Sequence, residues 1–132
     1  MNISAFELIL YVKDQQLSAK FYSAILNRHP YLNVPGMTEF ALTNNLKLGL
    51  MPEAGIAKIL LDKTPHSALG NGIPRCEFYI YAENIEEVFI TAKEAGAKEI
   101  SSIQQRDWDD IVGYLSDPDG HILALAKQSK GI

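Results

Sequence analysis

The sequence predicts an α+β fold built from two copies of one β-α-β-β-β module, and three observations carry that expectation. The apolar run Phe6-Glu7-Leu8-Ile9-Leu10-Tyr11 returns as Cys76-Glu77-Phe78-Tyr79-Ile80-Tyr81, each with a glutamate at its second position. Each run leads into a helix-capping residue, Asp14 or Asn84, and then into a helical stripe. After each helix the pattern changes to short β-favouring runs separated by turn residues. Two copies make a duplicated domain, because a solenoid needs at least about three repeats.

Each element follows from period and punctuation. Residues 4–12 read as the first strand. Asp14 caps a helix to about Leu26 with apolar positions Leu17, Phe21, Ala24 and Ile25, and Asn27 serves as a left-handed stop. Strands over 31–34, 38–42 and 46–51 are separated by Pro35-Gly36 and Asn44-Asn45. In the second half, Asn84 with Glu87 forms a capping-box pattern ahead of the stripe Ile85, Val88, Phe89, Ala92 and Ala95, which ends at Gly96. Strands over 98–105, 111–116 and 122–126 follow, divided by Asp107 to Asp110 and by Asp117-Pro118-Asp119-Gly120. The boundaries are module 1 at about 1–52, a connector at about 53–73 with a short helical turn over 56–61, and module 2 at about 74–132, all within a single domain.

Bulk properties exclude several functions. With 132 residues, 47% of them hydrophobic, the chain can bury one good core. A net charge of -4 without a Lys/Arg cluster argues against a nucleic-acid partner. No apolar stretch approaches the roughly 18 residues of a membrane span, and the N-terminus lacks signal-peptide character, so the expected location is the cytoplasm. Cys76 is the single cysteine, without metal-type spacing, and is expected to be a small buried hydrophobe.

The ordered set Tyr11-Val12-Lys13-Asp14, Ser18 with Phe21-Tyr22 and Ile25-Leu26, Pro35-Gly36-Met37 with Glu39-Phe40, Leu48-Gly49-Leu50-Met51-Pro52, Arg106-Asp107-Trp108 and Asp117-Pro118-Asp119-Gly120-His121 resembles the glyoxalase, bleomycin-resistance and extradiol-dioxygenase superfamily, also called the vicinal oxygen chelate superfamily. The resemblance spans essentially the whole chain. It implies paired modules whose strands form an open barrel-like sheet around a ligand cavity, usually in a homodimer.

Strand alternation sorts the candidate site residues. Glu7, Ile9 and Tyr11 share one face of the first strand, and Glu77, Tyr79 and Tyr81 share one face of its counterpart. The apolar faces are expected to meet the helices and the acid-plus-tyrosine faces to line the cavity. A carboxylate there must be protonated, hydrogen-bonded, paired or wet.

In metal-using members, the resemblance puts ligands at Glu7 and Glu77 on the first strands and at Gly49 and Ala124 on the last strands. Two of the four positions therefore lack a donor. His29, His66 and His121 fall in turns or the connector. Glu39 adds a third carboxylate only if its strand turns inward, which alternation does not support. No metal or other cofactor is expected; a divalent ion, if held, would use Glu7 and Glu77.

Glu7, Tyr11, Glu77, Tyr79, Tyr81 and Trp108 are the expected ligand-binding residues. Arg75 and Arg106 suit an anionic ligand, but Arg106 is better expected to pair with Asp107, Asp109 or Asp110. Glycine often follows the tryptophan in family relatives, so Asp109 puts that loop's conformation in question. The first functional reading is a metal-free binding protein, like the bleomycin-resistance branch, that sequesters a cationic or amphipathic small molecule. A carboxylate-rich metal-dependent lyase, isomerase or dioxygenase, and a structural or regulatory module, are the alternatives.

Overall fold

The computed structural model describes residues 1–129. It divides into two compact units, Met1–Asn71 and a second beginning at Gly72. Each unit is a four-stranded mixed sheet with helical cover.

In the first unit the elements are β1 (Phe6–Val12), α1 (Gln15–Leu26), β2 (Leu32–Val34), β3 (Met37–Thr43), β4 (Leu46–Pro52) and α2 (Glu53–Leu60), followed by two short 3-10 turns. The sheet order is β1-β4-β3-β2, with β1 parallel to β4 and the other pairs antiparallel. The second unit repeats this with β5 (Glu77–Tyr81), α3 (Ile85–Glu94), β6 (Lys98–Gln105), β7 (Asp110–Ser116) and β8 (Ile122–Gln128), in the order β5-β8-β7-β6. Here β5 runs parallel to β8. The expected α+β class and the β-α-β-β-β order both appear.

Asp14 starts α1 because its carboxylate accepts from Leu17 N (3.1 Å), and Asn27 ends it at φ 52°. Helix α1 packs on β3 and β4, where Leu48, Leu50, Phe40 and Thr38 are fully buried. The buried face of α1 is Ser18, Ala19, Phe21, Tyr22 and Ile25, which corrects the expected stripe. Leu17 is 52% exposed and Ala24 points outward, because the cap holds Leu17 in the first turn on the solvent side and Tyr22 takes the centre of the contact. In β1 the expected alternation holds toward the C-terminal end, where Leu10 and Val12 are buried while Ile9 stays open; Phe6, expected on the buried face, is 61% exposed.

Helix α3 packs on β6, β7 and β8 through Ile85, Phe89 and Ala92. Gly113 in β7 makes that approach possible, since a Cβ there would lie 2.7 Å from both Phe89 and Ile103. The turn after β7 is held by Asp117, whose Oδ1 accepts from Asp119 N and His121 N (both 2.9 Å).

Three expectations are corrected. The capping box at Asn84 and Glu87 does not form: Asn84 has φ -102° and ψ 47° and makes no side-chain cap bond, so its backbone carbonyl alone opens the helix toward Val88 N. The connector's short turn over 56–61 is instead the eight-residue helix α2. Pro52 supplies its N-cap with φ -65°, and Leu61 at φ 53° ends it. Cys76 is exposed, because β5 begins one residue later and leaves it outside the ladder.

Candidate functional site

In the second unit, register brings the expected residues together. Tyr79 pairs with Ala124 across β5 and β8, and Ala124 pairs with Tyr114 across β8 and β7, so these rings flank a small side chain. Val112, Ala124 and Ala126 are fully buried beneath Tyr79 and Tyr114. At the end of this face Asp110, only 5% exposed, accepts at one carboxylate oxygen from Tyr79 OH (2.5 Å) and Tyr81 OH (2.8 Å). Trp108 Nε1 donates to Tyr79 OH (2.9 Å). The Tyr79 and Tyr81 rings lie 5.3 Å apart at 63°, an edge-to-face pair.

This arrangement is a buried carboxylate ringed by three aromatic side chains, two of which remain open: Tyr81 is 58% exposed and Trp108 55%. Burial, then the hydrogen bond to Asp110, pushes the Tyr79 phenol up to about 12; the Trp108 donor opposes this. Tyr81 is raised first by its bond to Asp110. Both phenols therefore stay protonated and keep donating. Asp110 was not among the expected site residues. The first residue of β7 reads as the end of a turn until the Asp110 to Gln128 pairing puts it in the ladder.

Asp109 takes φ 68°, a left-handed conformation that aspartate reaches more readily than most residues other than glycine. Its carbonyl accepts from Ser129 N (3.0 Å) and Ser129 Oγ (2.7 Å), which ties the loop to the end of β8. Arg106 does not serve as the expected surface partner of the aspartates. Its guanidinium donates to the carbonyls of Val112 and Ser102 and to Ser101 Oγ, and it lies 5.1 Å from the Tyr114 ring centroid. Ser102 lies within the register shift between Ser101 and Gln104, so its carbonyl has no ladder partner there and receives the guanidinium together with the Val112 carbonyl. Glu77, at the start of β5, is exposed, and its charge helps raise the Tyr114 phenol after burial.

The first unit assembles a different cluster. On the open face of its sheet, Glu7 pairs in register with Lys47 and Glu39 with Gly49. Thr38 and Phe40 take the helix side of β3, which leaves Glu39 on the same face as Glu7 and corrects the expectation from alternation. Lys47 Nζ lies 3.6 Å from Glu7 Oε1 and 3.8 Å from Glu39 Oε2, and it donates to Tyr31 OH (2.7 Å). Tyr31 OH in turn donates to Glu39 Oε1 (2.6 Å).

Glu7 Oε2 is buried, without a hydrogen-bond partner among the described residues, and fills the space that a side chain at position 49 would need. Two neighbouring carboxylates offer only acceptors, so their ionisations are linked. Burial, then the bond to Glu39, holds the Glu7 carboxyl above its usual range; Glu39 is held below by bonds from Glu7 and Tyr31. Tyr11 lies elsewhere, lining a pocket of about 270 Å³ with Ile56, Leu60, Pro65 and His66.

The sequence from residue 4 to 125 matches the family model described as Glyoxalase/Bleomycin resistance protein/Dioxygenase superfamily. The chain belongs to that superfamily. A glyoxalase-related enzyme from Fulvimarina pelagi superposes with TM-score 0.79 at 18% identity, covering 95% of this chain and 88% of that one. A glyoxalase/bleomycin resistance protein/dioxygenase from Nocardioides gives 0.75 at 18%, covering 100% and 87%. A glyoxalase/bleomycin resistance protein from Albidiferax ferrireducens gives 0.67 at 16%, covering 92% and 96%. These likenesses show the fold. No curated protein matches the sequence.

The side chains at the superfamily's metal positions do not fit a divalent ion. Glu7 occupies the room beside Gly49, and Ala124 is buried with no donor. An ammonium stands beside the carboxylates of the first unit. Among the described residues no three His, Cys, Asp or Glu side chains group as a metal site. No described helix is long and apolar enough to cross a membrane.

Proposed function

We propose that this chain is a small-molecule-binding member of the superfamily that holds an organic cation, with Tyr79, Tyr81, Trp108 and Asp110 as the binding set. The observation that carries the reading is the buried Asp110 carboxylate under two open aromatic rings. Aromatic faces attract a desolvated cation by roughly 0.5–2 kcal/mol each. Asp110 adds a full charge whose field is weakly screened at its depth.

The hydrogen bonds inside the cluster refine the ligand class. Tyr79 OH already gives one bond and receives another, and both phenol protons are committed to Asp110. The cluster therefore offers charge and ring surface more than free donors. That favours an N-alkylated or delocalised cation with an apolar body, which needs few hydrogen bonds. Calorimetric titration with benzyltrimethylammonium and with uncharged benzyl alcohol tests the reading. Saturable heat from the cation alone supports it; equal binding of both, or of neither, overturns it.

A further inference from the structure

We infer that the Lys47 ammonium takes the place of a divalent cation on the open face of the first unit, and that this ammonium, with both carboxylates present, is what excludes metal. Glu7, Glu39 and Gly49 come together on that face, and Glu39 brings a carboxylate donor beyond those the superfamily pattern would place on it. Lys47 is positioned by register opposite Glu7, one ladder step from the Gly49 gap.

Its contacts set one positive charge against both carboxylates. Lys47 Nζ faces one oxygen of each glutamate, at 3.6 and 3.8 Å, and is anchored by a 2.7 Å bond to Tyr31 OH. Both carboxylate contacts are longer than direct hydrogen bonds, so the ammonium neutralises the pair electrostatically from a fixed point. The anchor also uses Tyr31 to tie Glu39 to Lys47, since the phenol donates onward to Glu39. Glu7 Oε2 is left buried with no partner among the described residues, a donor-poor corner that a coordinating ion would complete. A divalent ion entering there would meet a like charge within a few ångströms. Two carboxylates with water are ordinary ligands for a hard ion once that charge is gone.

The test is Mn²⁺ binding, followed by electron paramagnetic resonance of the free ion, in wild type and Lys47→Met. Methionine keeps the apolar stem and removes the charge. Wild type is expected to show no saturable uptake, and K47M to bind one ion per chain at least about tenfold more tightly. That gain should vanish in K47M/E7Q and in K47M/E39Q, and Lys47→Arg should stay without metal. Saturable uptake by wild type that Glu7→Gln removes, or no uptake by K47M, overturns the inference. Lys47→Gln serves in place of K47M if circular dichroism shows that the methionine variant does not fold. The readout is independent of cation binding by the second unit.

Discussion

Replacing Tyr79 with phenylalanine deletes one oxygen and two hydrogen bonds, and the structure assigns a different cost to each. The bond to Asp110 (2.5 Å) serves a charged acceptor that is 5% exposed, where a hydrogen bond contributes about 1.5–3 kcal/mol. The bond from Trp108 costs little to lose, because the indole is 55% exposed and water can replace the acceptor. Tyr79→Phe is therefore expected to destabilise the second unit by about 2 kcal/mol. Tyr81→Phe should cost about 1 kcal/mol, since its ring is 58% exposed and Tyr79 still donates to the same carboxylate oxygen. The double variant leaves a buried carboxylate without either phenol, and its cost should exceed the sum by about 1 kcal/mol. Urea unfolding followed by Trp108 fluorescence measures all three, because the only tryptophan lies in this unit. A Tyr79→Phe variant within about 0.5 kcal/mol of wild type refutes the reasoning.

Gly113→Ala puts a methyl group 2.7 Å from Phe89 and Ile103, and overpacking of this kind should cost about 1–3 kcal/mol, read by the same urea unfolding. At Gly49, alanine collides with the flexible end of Glu7, so a loss in Gly49→Ala should shrink when Glu7→Ala is added; additive losses in thermal unfolding contradict the contact. The pH dependence has a defined sign. The folded state raises the Tyr79 phenol from 10.0 to about 12, so its contribution is complete below pH 10 and is lost as pH climbs from there through about 12. Phenolate absorbance should show a late-titrating component near pH 12 that shrinks in Tyr79→Phe, beside the raised Tyr81 and Tyr114, and the variant's stability should fall less steeply over that alkaline window.

Much of the fold was legible because strand and helix periods and turn chemistry are local. Asp14, Asn27 and Gly96 marked helix ends that the backbone confirms, with Gly96 at φ 117°. Alternation correctly turned Glu7 and Tyr79 away from the helices. The connector was harder, since Pro52 and Gly55 read as punctuation, although proline before a first helical turn is a start signal. The site was only half legible for a different reason. Tyr79, Tyr81 and Trp108 stand out by type, but Asp110 joins them only through the β7–β8 register. Lys47 and Glu39 likewise reach Glu7 through the ladders of β4, a non-local property that composition does not carry. Arg106 looked like an ion-pair partner because aspartates neighbour it in sequence, whereas the carbonyls of Val112 and Ser102 receive its guanidinium.

In the proposed binding set, Asp110 supplies the charge that holds an organic cation against Tyr79, Tyr81 and Trp108. Titrating wild type and Asp110→Asn with benzyltrimethylammonium, with Trp108 fluorescence as the signal, tests it most directly. The asparagine keeps the shape and removes the charge, so the account predicts saturable quenching in wild type and affinity at least about tenfold weaker in the variant. Equal affinity in the two proteins, with the variant folded by circular dichroism, would contradict it.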